Sequence, residues 1–409
     1  MKIMFRGSAW KGVGAWLAVA VLGSAAGGNA QEQAEPARES AAPPIVKFYL
    51  SRDVELLAPP PVFGLTGTQC DTNDNIYLLY TSSLEGIVEK FRKLEPLNLP
   101  LTKVSIDSKS VVSFPAGPLR DYGWFVSYAF YVTPNGVVYN LAEACRPGPG
   151  PGVHQRCAWF VTRYNDDGKV DSVARLRPPR EEFLKPSKFA AFPDGNLVVV
   201  GRMRDETGDA LHSRLFAGLF SRSGDFLREL KLAQDVGPAP AVTPTSNENP
   251  AAGNPSDGLS DSERQAAEKQ AWHRLVTAVS EGLMFGAPDG TVYLLRGGSP
   301  QKLDVFSSDG SVLPKPDIAP PLEGLTTISA GLSAQGQIVV HYSPSVTSND
   351  SNRNSVIALI DPETGLVIST YKIPPKAGVP ACVTSKGEFL FTRQSKSGLL
   401  EVVGYTPLH

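Results

Sequence analysis

Hydrophobic and polar positions alternate along this chain in short runs that end at tight turns. The clearest case is Ala287-Pro288-Asp289-Gly290-Thr291-Val292-Tyr293-Leu294-Leu295, where a Pro-Asp-Gly turn joins a strand end to a strand of β-branched and aromatic residues. Five variants of this hairpin recur at residues 71–77, 133–139, 192–198, 333–339 and 384–390, the first with Asp74 in the place of glycine. Six copies of one hairpin predict a repeat architecture.

A second kind of hairpin lies between the copies of the first. Its turns are at residues 165–168, 221–224, 307–310 and 361–365, each flanked by strand-like residues. Each repeat therefore has four strands, A to D. Strands A and B are joined by the first turn, and strands C and D by the second.

The two ends of the chain complement each other. Residues 45–57 have the pattern of a strand D, but no strands A, B or C precede them. The last repeat has strands A, B (388–393) and C (399–405) and then stops. We therefore predict that the N-terminal strand is the outer strand of the last repeat, which closes a ring and removes exposed sheet edges.

This pattern resembles the six-bladed β-propellers of the NHL-repeat and TolB-like kind, over roughly residues 45–407 and on the motif at residues 288–293. The resemblance implies an all-β fold of six four-stranded blades. A pair of β-sandwiches is the alternative, but sandwiches rarely repeat a turn so regularly. Propellers of this kind include hydrolases, lactonases, scaffolds and peptide-binding modules, so the fold does not decide the function.

The first 30 residues have the composition of a signal peptide: a basic head with Lys2, Arg6 and Lys11, an apolar run at 13–26, and small residues at 28–30. A retained membrane anchor is the alternative. Residues 31–44 are predicted to be a disordered leader, and residues 45–409 a single propeller domain. We expect export to the periplasm or the extracellular medium, as a monomer with no membrane span once the signal is removed.

Net charge argues against a nucleic-acid partner. The chain has 39 Lys and Arg and 41 Asp and Glu, and removal of residues 1–30 takes away three basic residues and no acidic ones. The exported chain is then acidic overall, and no basic stripe is left to neutralise phosphates.

The long connections are predicted to lie on one side of the ring. In a four-stranded blade the A–B and C–D turns share one face, which we call the turn face, and the B–C loops and D-to-A crossings share the other, the loop face. Loops on a rigid scaffold often bind partners, so we expect a protein, peptide or glycan partner there. The predicted long segments are 142–156, 204–213, 343–354 and the insertion at about 233–274.

The insertion is predicted to combine a flexible part, residues 236–258, with a short helix that begins at the capping box Ser260-Asp261-Ser262-Glu263. Such a helix could act as a lid over the channel. The preferred interpretation is a helix packed on the blade rim through Trp272 and Leu275.

Four cysteines in an exported chain favour disulfides. Cys145 and Cys157 bracket the Pro/Gly-rich loop of blade 2 and would staple it. Cys70 and Cys382 fall near the ends of the inner strands of blades 1 and 6, which are neighbours in a closed ring. A metal or redox site is disfavoured because the sequence has no Cys-x-x-Cys motif.

The candidate ligand-binding residues lie at predicted loop-face positions: Arg120, Asp121, Tyr122, Trp124, His154, Arg156 and His212. Polar groups beside aromatic rings suit binding sites. The aromatic residues of the inner strand of blade 2, such as Tyr128, are otherwise explained as core. His341 is expected to be a surface or packed histidine, because no metal-binding or nucleophile motif surrounds any histidine.

Two functions remain open. The preferred one is a non-catalytic binding or scaffold module that acts through its loop face, without a cofactor. The alternative is an enzyme similar to the propeller lactonases and hydrolases, whose sites resemble a divalent metal such as Ca²⁺ held by Glu, Asn and Asp. Glu281, Glu323 and Asp121 are the acidic candidates at strand A starts, but they do not reproduce that ligand set, so no catalytic or metal-binding residue is assigned.

Overall fold

The computed structural model describes most of the predicted strands and the short turns between them. The described ranges are 45–46, 48–56, 63–81, 101–107, 109–115, 119, 122, 124–147, 154–180, 184–204, 214–232, 282–298, 300–322, 325–333, 335–344, 355–374, 376–384 and 386–407. The predicted signal peptide, the leader and the helical insertion lie outside them.

Six sheets form the blades, each with four antiparallel strands in the predicted A-to-D order, and one of them has a short fifth strand at its outer edge. Blades 1 to 3 contain β3 (Phe63–Cys70), β4 (Ile76–Thr81), β5 (Leu101–Ser105), β6 (Ser110–Phe114), β7 (Trp124–Val132), β8 (Val138–Pro147), β9 (His154–Tyr164), β10 (Val170–Arg175), β11 (Leu184–Ala191), β12 (Leu197–Met203), β13 (Arg214–Phe220) and β14 (Phe226–Glu229).

The remaining strands build blades 4 to 6. They are β15 (Leu283–Gly286), β16 (Val292–Leu295), β17 (Leu303–Phe306), β18 (Val312–Pro314), β19 (Leu325–Leu332), β20 (Ile338–Pro344), β21 (Val356–Ile360), β22 (Val367–Lys372), β23 (Val379–Val383), β24 (Phe389–Gln394) and β25 (Leu400–Pro407), preceded in the chain by β1 (Ile45–Val46) and β2 (Phe48–Leu56). The protein is a six-bladed β-propeller.

The N-terminal strand closes the ring as predicted. β2 pairs antiparallel with β25, from Phe48 opposite Pro407 to Leu56 opposite Leu400, and is the outer strand of blade 6. The structure adds a feature that the sequence did not reveal. β1 pairs parallel with β22, so the first two residues of the segment extend blade 5 instead of blade 6. The N-terminal segment therefore fastens two neighbouring blades.

The repeated turns have the backbone geometry that their residues require. In blade 4 the amide of Gly290 donates to the carbonyl of Ala287 at 3.0 Å, and Gly290 has a φ of 88°. Asp74 takes the equivalent position in blade 1 with a φ of 60°, a conformation that Asp tolerates better than most residues. The C–D turn of blade 1 was not predicted because Lys109, with a φ of 51°, stands where the other blades have glycine.

Buried apolar layers fill the spaces between blades. One continuous layer joins blades 2, 3 and 4 and contains eight aromatic rings among its 25 buried residues. Among the described residues, the layer between blades 6 and 1 has seven buried residues, none of them aromatic. Other layers join blades 1 and 2, 4 and 5, and 5 and 6. No helix long and apolar enough to cross a membrane occurs in the described ranges.

Candidate functional site

The lengths of the connections differ between the two faces. On the turn face, every A–B connection spans five residues, as from Asp71 to Asn75, and the C–D connections are of similar length. On the loop face, residues 82–100 separate β4 from β5, and residues 230–282 separate β14 from β15. The strand bounds thus put the long connections on one face.

The B–C hairpin of blade 2 corrects one detail of the sequence analysis. Residues 142–156 were expected to form a loop, but β8 continues to Pro147 and β9 begins at His154, opposite it. Ala142 and Ala144 are buried and pair directly with Phe160 and Ala158 of β9, so the ladder continues through the segment that was expected to be a loop. With ten residues against seven in β12, β8 extends about 10 Å further on the loop-face side.

Both predicted disulfides are present. Cys145 and Cys157 are direct cross-strand partners in this hairpin, with Cα atoms 4.0 Å apart. Cys70 and Cys382 join the inner strands of blades 1 and 6, with Cα atoms 5.9 Å apart. The first bond stiffens a loop-face feature, whereas the second fastens the closure of the ring.

The structure places part of the predicted ligand-binding set at the loop-face end of blade 2. The ring centroids of Tyr122 and Phe160 lie 4.9 Å apart, and the guanidinium of Arg146 lies 5.5 Å from the centroid of the Tyr122 ring. Trp124 begins β7, and His154 and Arg156 are the first and third residues of β9, at its loop-face end. Arg120, Asp121 and His212, together with Glu281 and Glu323, lie outside the described residues.

Tyr128 differs from the buried core residue that was expected, because it is exposed and its hydroxyl is hydrogen-bonded. It occupies a β-bulge of inner strand β7 and is 43% exposed. Its ring lies 4.9 Å from that of Trp159, and its hydroxyl donates to Oε2 of Glu143 at 3.2 Å. Partial burial and the neighbouring Glu143 carboxylate raise the pKa of Tyr128 to about 12, so the phenol remains a neutral hydrogen-bond donor at neutral pH.

A cavity of about 260 Å³ lies at the turn-face end of the inner strands. It is lined by the last residues of β3, β7, β15, β19 and β23 and reaches between blades 5 and 6. Its apolar walls include Phe285, Leu332, Val339, Ile357 and Phe389. The sequence contained no signal for this cavity, because the lengths of the connections are unrelated to the space between strand ends.

Most polar side chains around this cavity already have protein partners. Gln69 donates to the carbonyl of Phe130 and accepts from the amide of Val132. The carboxylate of Asp71 accepts from the amides of Asn73 and Asn75, and from the Tyr77 hydroxyl at 2.9 Å. These groups hold the A–B turns and neighbouring blades together.

His341 is different. Its side chain lines the cavity and is 8% exposed, and neither ring nitrogen has a hydrogen-bond partner among the described residues. Burial lowers the pKa of His341 to about 4, so the imidazole is uncharged at neutral pH. In the sheet, His341 lies directly opposite Ser329, which also lines the cavity. The sequence contained no signal for this pair, because the two residues are brought together by strand register.

Within the described ranges, no three His, Cys, Asp or Glu side chains are grouped so that they could hold a metal ion.

Comparisons with known proteins show likeness in fold. Neither family models nor curated protein sequences match this chain. Among solved structures, a protein of unknown function from Dyadobacter fermentans has a TM-score of 0.46 at 12% identity, covering 88% of this chain and 99% of its own.

Two further structures are a calcium-binding protein, regucalcin, from Agrobacterium tumefaciens (TM-score 0.41, 12% identity, 89% of this chain and 96% of its own) and streptogramin B lyase (TM-score 0.40, 11% identity, 88% and 98%). Similarity at this level carries no argument about function. The architecture of the chain is that of a six-bladed β-propeller, established by its own six sheets.

Proposed function

We propose that the protein is an exported binding module whose ring presents its loop face to a protein, peptide or glycan partner. The observation that carries the proposal is the asymmetry of the connections: short glycine turns on one face, and long segments with the stapled blade 2 hairpin on the other. A rigid scaffold that supports elaborated loops on one side is the common arrangement of binding proteins.

Local chemistry at the blade 2 hairpin supports this role. Arg146 is exposed while its guanidinium rests on the ring of Tyr122, and arginine and tyrosine are among the residues that contribute most to protein interfaces. The Cys145–Cys157 bond limits the freedom of the hairpin before a partner binds. Less ordering is then needed on binding, which favours affinity.

The proposal includes export and a monomeric protein without a resident cofactor. Two disulfides in a chain of this kind are typical of oxidising compartments. Metal analysis of the purified exported protein, with a thermal-shift titration of Ca²⁺ and EDTA, tests the cofactor part. A stoichiometric metal or a large shift would favour the lactonase-like alternative and call for a lactone and ester screen.

The binding proposal is tested by screening the protein on a glycan array and a peptide library. In one variant, residues 236–258 are replaced by a short Gly-Ser linker, and in another Arg146 becomes Ala. Glycans or peptides that bind the loop face should lose their affinity, or bind at least tenfold more weakly, in one or both of these variants. The control is Lys386→Ala, an exposed position on a turn-face connection, which should bind as the unmodified protein does. Binders that are insensitive to both loop-face variants would contradict the proposal.

A further inference from the structure

The cavity lies at the turn-face end of the channel, opposite the face of the long connections. We propose that it is a second, independent binding site, for an uncharged and mostly apolar small molecule that carries one hydroxyl or primary amide. In this site the head group of the molecule bonds to the imidazole of His341, with Ser329 beside it. The body of the molecule lies against Phe285, Leu332, Val339, Ile357 and Phe389.

The size of the cavity sets the size of the ligand. A cavity of 150 Å³ with apolar walls accommodates benzene. By the same proportion, the cavity of about 260 Å³ accommodates roughly ten non-hydrogen atoms. Two fused six-membered rings with one substituent have this size.

The head group follows from the unsatisfied side chain. An uncharged imidazole offers one N–H donor and one acceptor nitrogen, and buried polar groups in native proteins are nearly always hydrogen-bonded. His341 has no such bond within the described residues, although 92% of it is removed from solvent and it lines the cavity. A hydroxyl or primary amide on a ligand both donates and accepts, and therefore complements the imidazole.

The surroundings disfavour a charged ligand. The walls beside His341 are apolar, and transfer of an ionised group into such surroundings is unfavourable unless it is paired. Asp71 and Asp74 line the same cavity, so an anion would also be repelled. The Asp71 carboxylate is already engaged with several protein donors. An uncharged ligand avoids both penalties.

Gly331 provides a way to close the site. It lies on β19 opposite Val339, has no positive φ, and a Cβ added there would meet no atom within 4 Å. A side chain at this position therefore has room at its Cβ, and Gly331→Leu should extend into the cavity, with thermal denaturation as the check that the variant folds. This variant separates blocked binding from unfolding.

The experiment is a fluorescence titration at pH 7 with 2-naphthol, and calorimetric or competition titrations with naphthalene and 2-naphthoate. The unmodified protein should bind 2-naphthol saturably at one site and 2-naphthoate at least tenfold more weakly. In His341→Phe, the preference for 2-naphthol over naphthalene should fall roughly tenfold, as expected when one buried hydrogen bond is lost. Gly331→Leu should abolish binding of both 2-naphthol and naphthalene.

Three results would overturn the proposal: no saturable binding of 2-naphthol by the unmodified protein, unchanged binding in Gly331→Leu, or an unchanged preference in a folded His341→Phe. The variant with residues 236–258 replaced is the control, and it should bind 2-naphthol as the unmodified protein does. The variant with residues 236–258 replaced tests binding at the loop face, and Gly331→Leu tests binding in the cavity. The two results are independent, so either proposal can fail alone.

Discussion

The junction between blades 6 and 1 and the interior of blades 2 to 4 are held together by different interactions. The interior has one continuous apolar layer rich in aromatic rings, including Trp159, Phe216 and Phe220. The junction has a small aliphatic layer, but it also has the Cys70–Cys382 bond and the pairing of β2 with β25. A ring must be closed somewhere, and here the closing junction combines a small aliphatic layer with a disulfide and a strand pairing.

Polar contacts reinforce the same junction. Arg52 on β2 lies 3.8 Å from Asp107 of blade 1, and the Thr68 hydroxyl of blade 1 donates to the carbonyl of Pro380 of blade 6. Within blade 6, Glu388 lies 3.3 Å from Arg52 and accepts from the Ser51 hydroxyl at 2.7 Å, which holds β2 to the A–B turn. Each such contact is individually weak, so the comparison predicts that the strand and the disulfide carry most of the closure.

The largest effect is expected from deletion of residues 45–56, which removes β1 and β2. Blade 6 would lose its outer strand, and blades 5 and 6 would both have an exposed edge. The expected result is loss of the cooperative thermal transition, measured by circular dichroism and calorimetry. Deletion of residues 31–44 alone is the control and should leave the transition in place. A cooperative transition at an unchanged temperature in the 45–56 deletion would refute closure by this strand.

The two disulfides give the next comparison. They close segments with sequence separations of 312 and 12 residues. In the chain-entropy model these correspond to roughly 6 and roughly 3 kcal/mol of the free energy of unfolding. Cys70→Ala with Cys382→Ala should therefore destabilise the protein more than Cys145→Ala with Cys157→Ala in guanidinium denaturation. The reverse order would show that the junction does not depend on its covalent link.

Acid should weaken the layer between blades 5 and 6 through His341. Because burial lowers its pKa from 6.5 to about 4, the unfolded chain binds a proton below pH 6.5 while the folded protein does not until about pH 4. The stability present above pH 6.5 is thus progressively lost as pH falls to 4, by about 3 kcal/mol. Denaturation at several pH values measures this slope.

His341→Phe is the matched variant for the acid effect, since it keeps an aromatic ring and cannot be protonated. The loss of stability between pH 6.5 and 4 should be smaller in it by most of that amount. An equal slope in the two proteins would show that other groups, and not His341, cause the acid sensitivity.

The smallest effects are expected in the repeated turns, where two glycines differ in surroundings. Gly224 and Gly336 both have positive φ, but a Cβ on Gly224 would stand 2.1 Å from the carbonyl oxygen of Arg175, whereas one on Gly336 would meet nothing within 4 Å. Gly336→Ala should cost about 1 kcal/mol from backbone strain alone. Gly224→Ala should cost roughly 3 kcal/mol because it also pushes blade 3 from blade 2. Equal costs in urea denaturation would mean that the turn does not hold the two blades together.

The sequence was sufficient for much of the fold. The recurring turn fixed the number of blades, because Pro-Asp-Gly and its variants allow few backbone conformations. The unpaired strand at residues 45–57 predicted closure by both termini, and the positions of four cysteines relative to the strands predicted both bonds. The sequence was insufficient where turn residues are not diagnostic. Lys109 replaces the usual glycine in the C–D turn of blade 1, so this turn was not predicted, and residues 142–156 were expected to be a loop although strand pairing continues there.

The candidate site depended on the tertiary structure. Each inner strand is locally an ordinary β-strand, and its residues give no sign that five strand ends surround a space of about 260 Å³. His341 and Ser329 are 12 positions apart in the sequence and meet through antiparallel register. Turn chemistry is local and can be read from neighbouring residues, whereas a cavity and an unpartnered buried side chain result from the way distant segments pack.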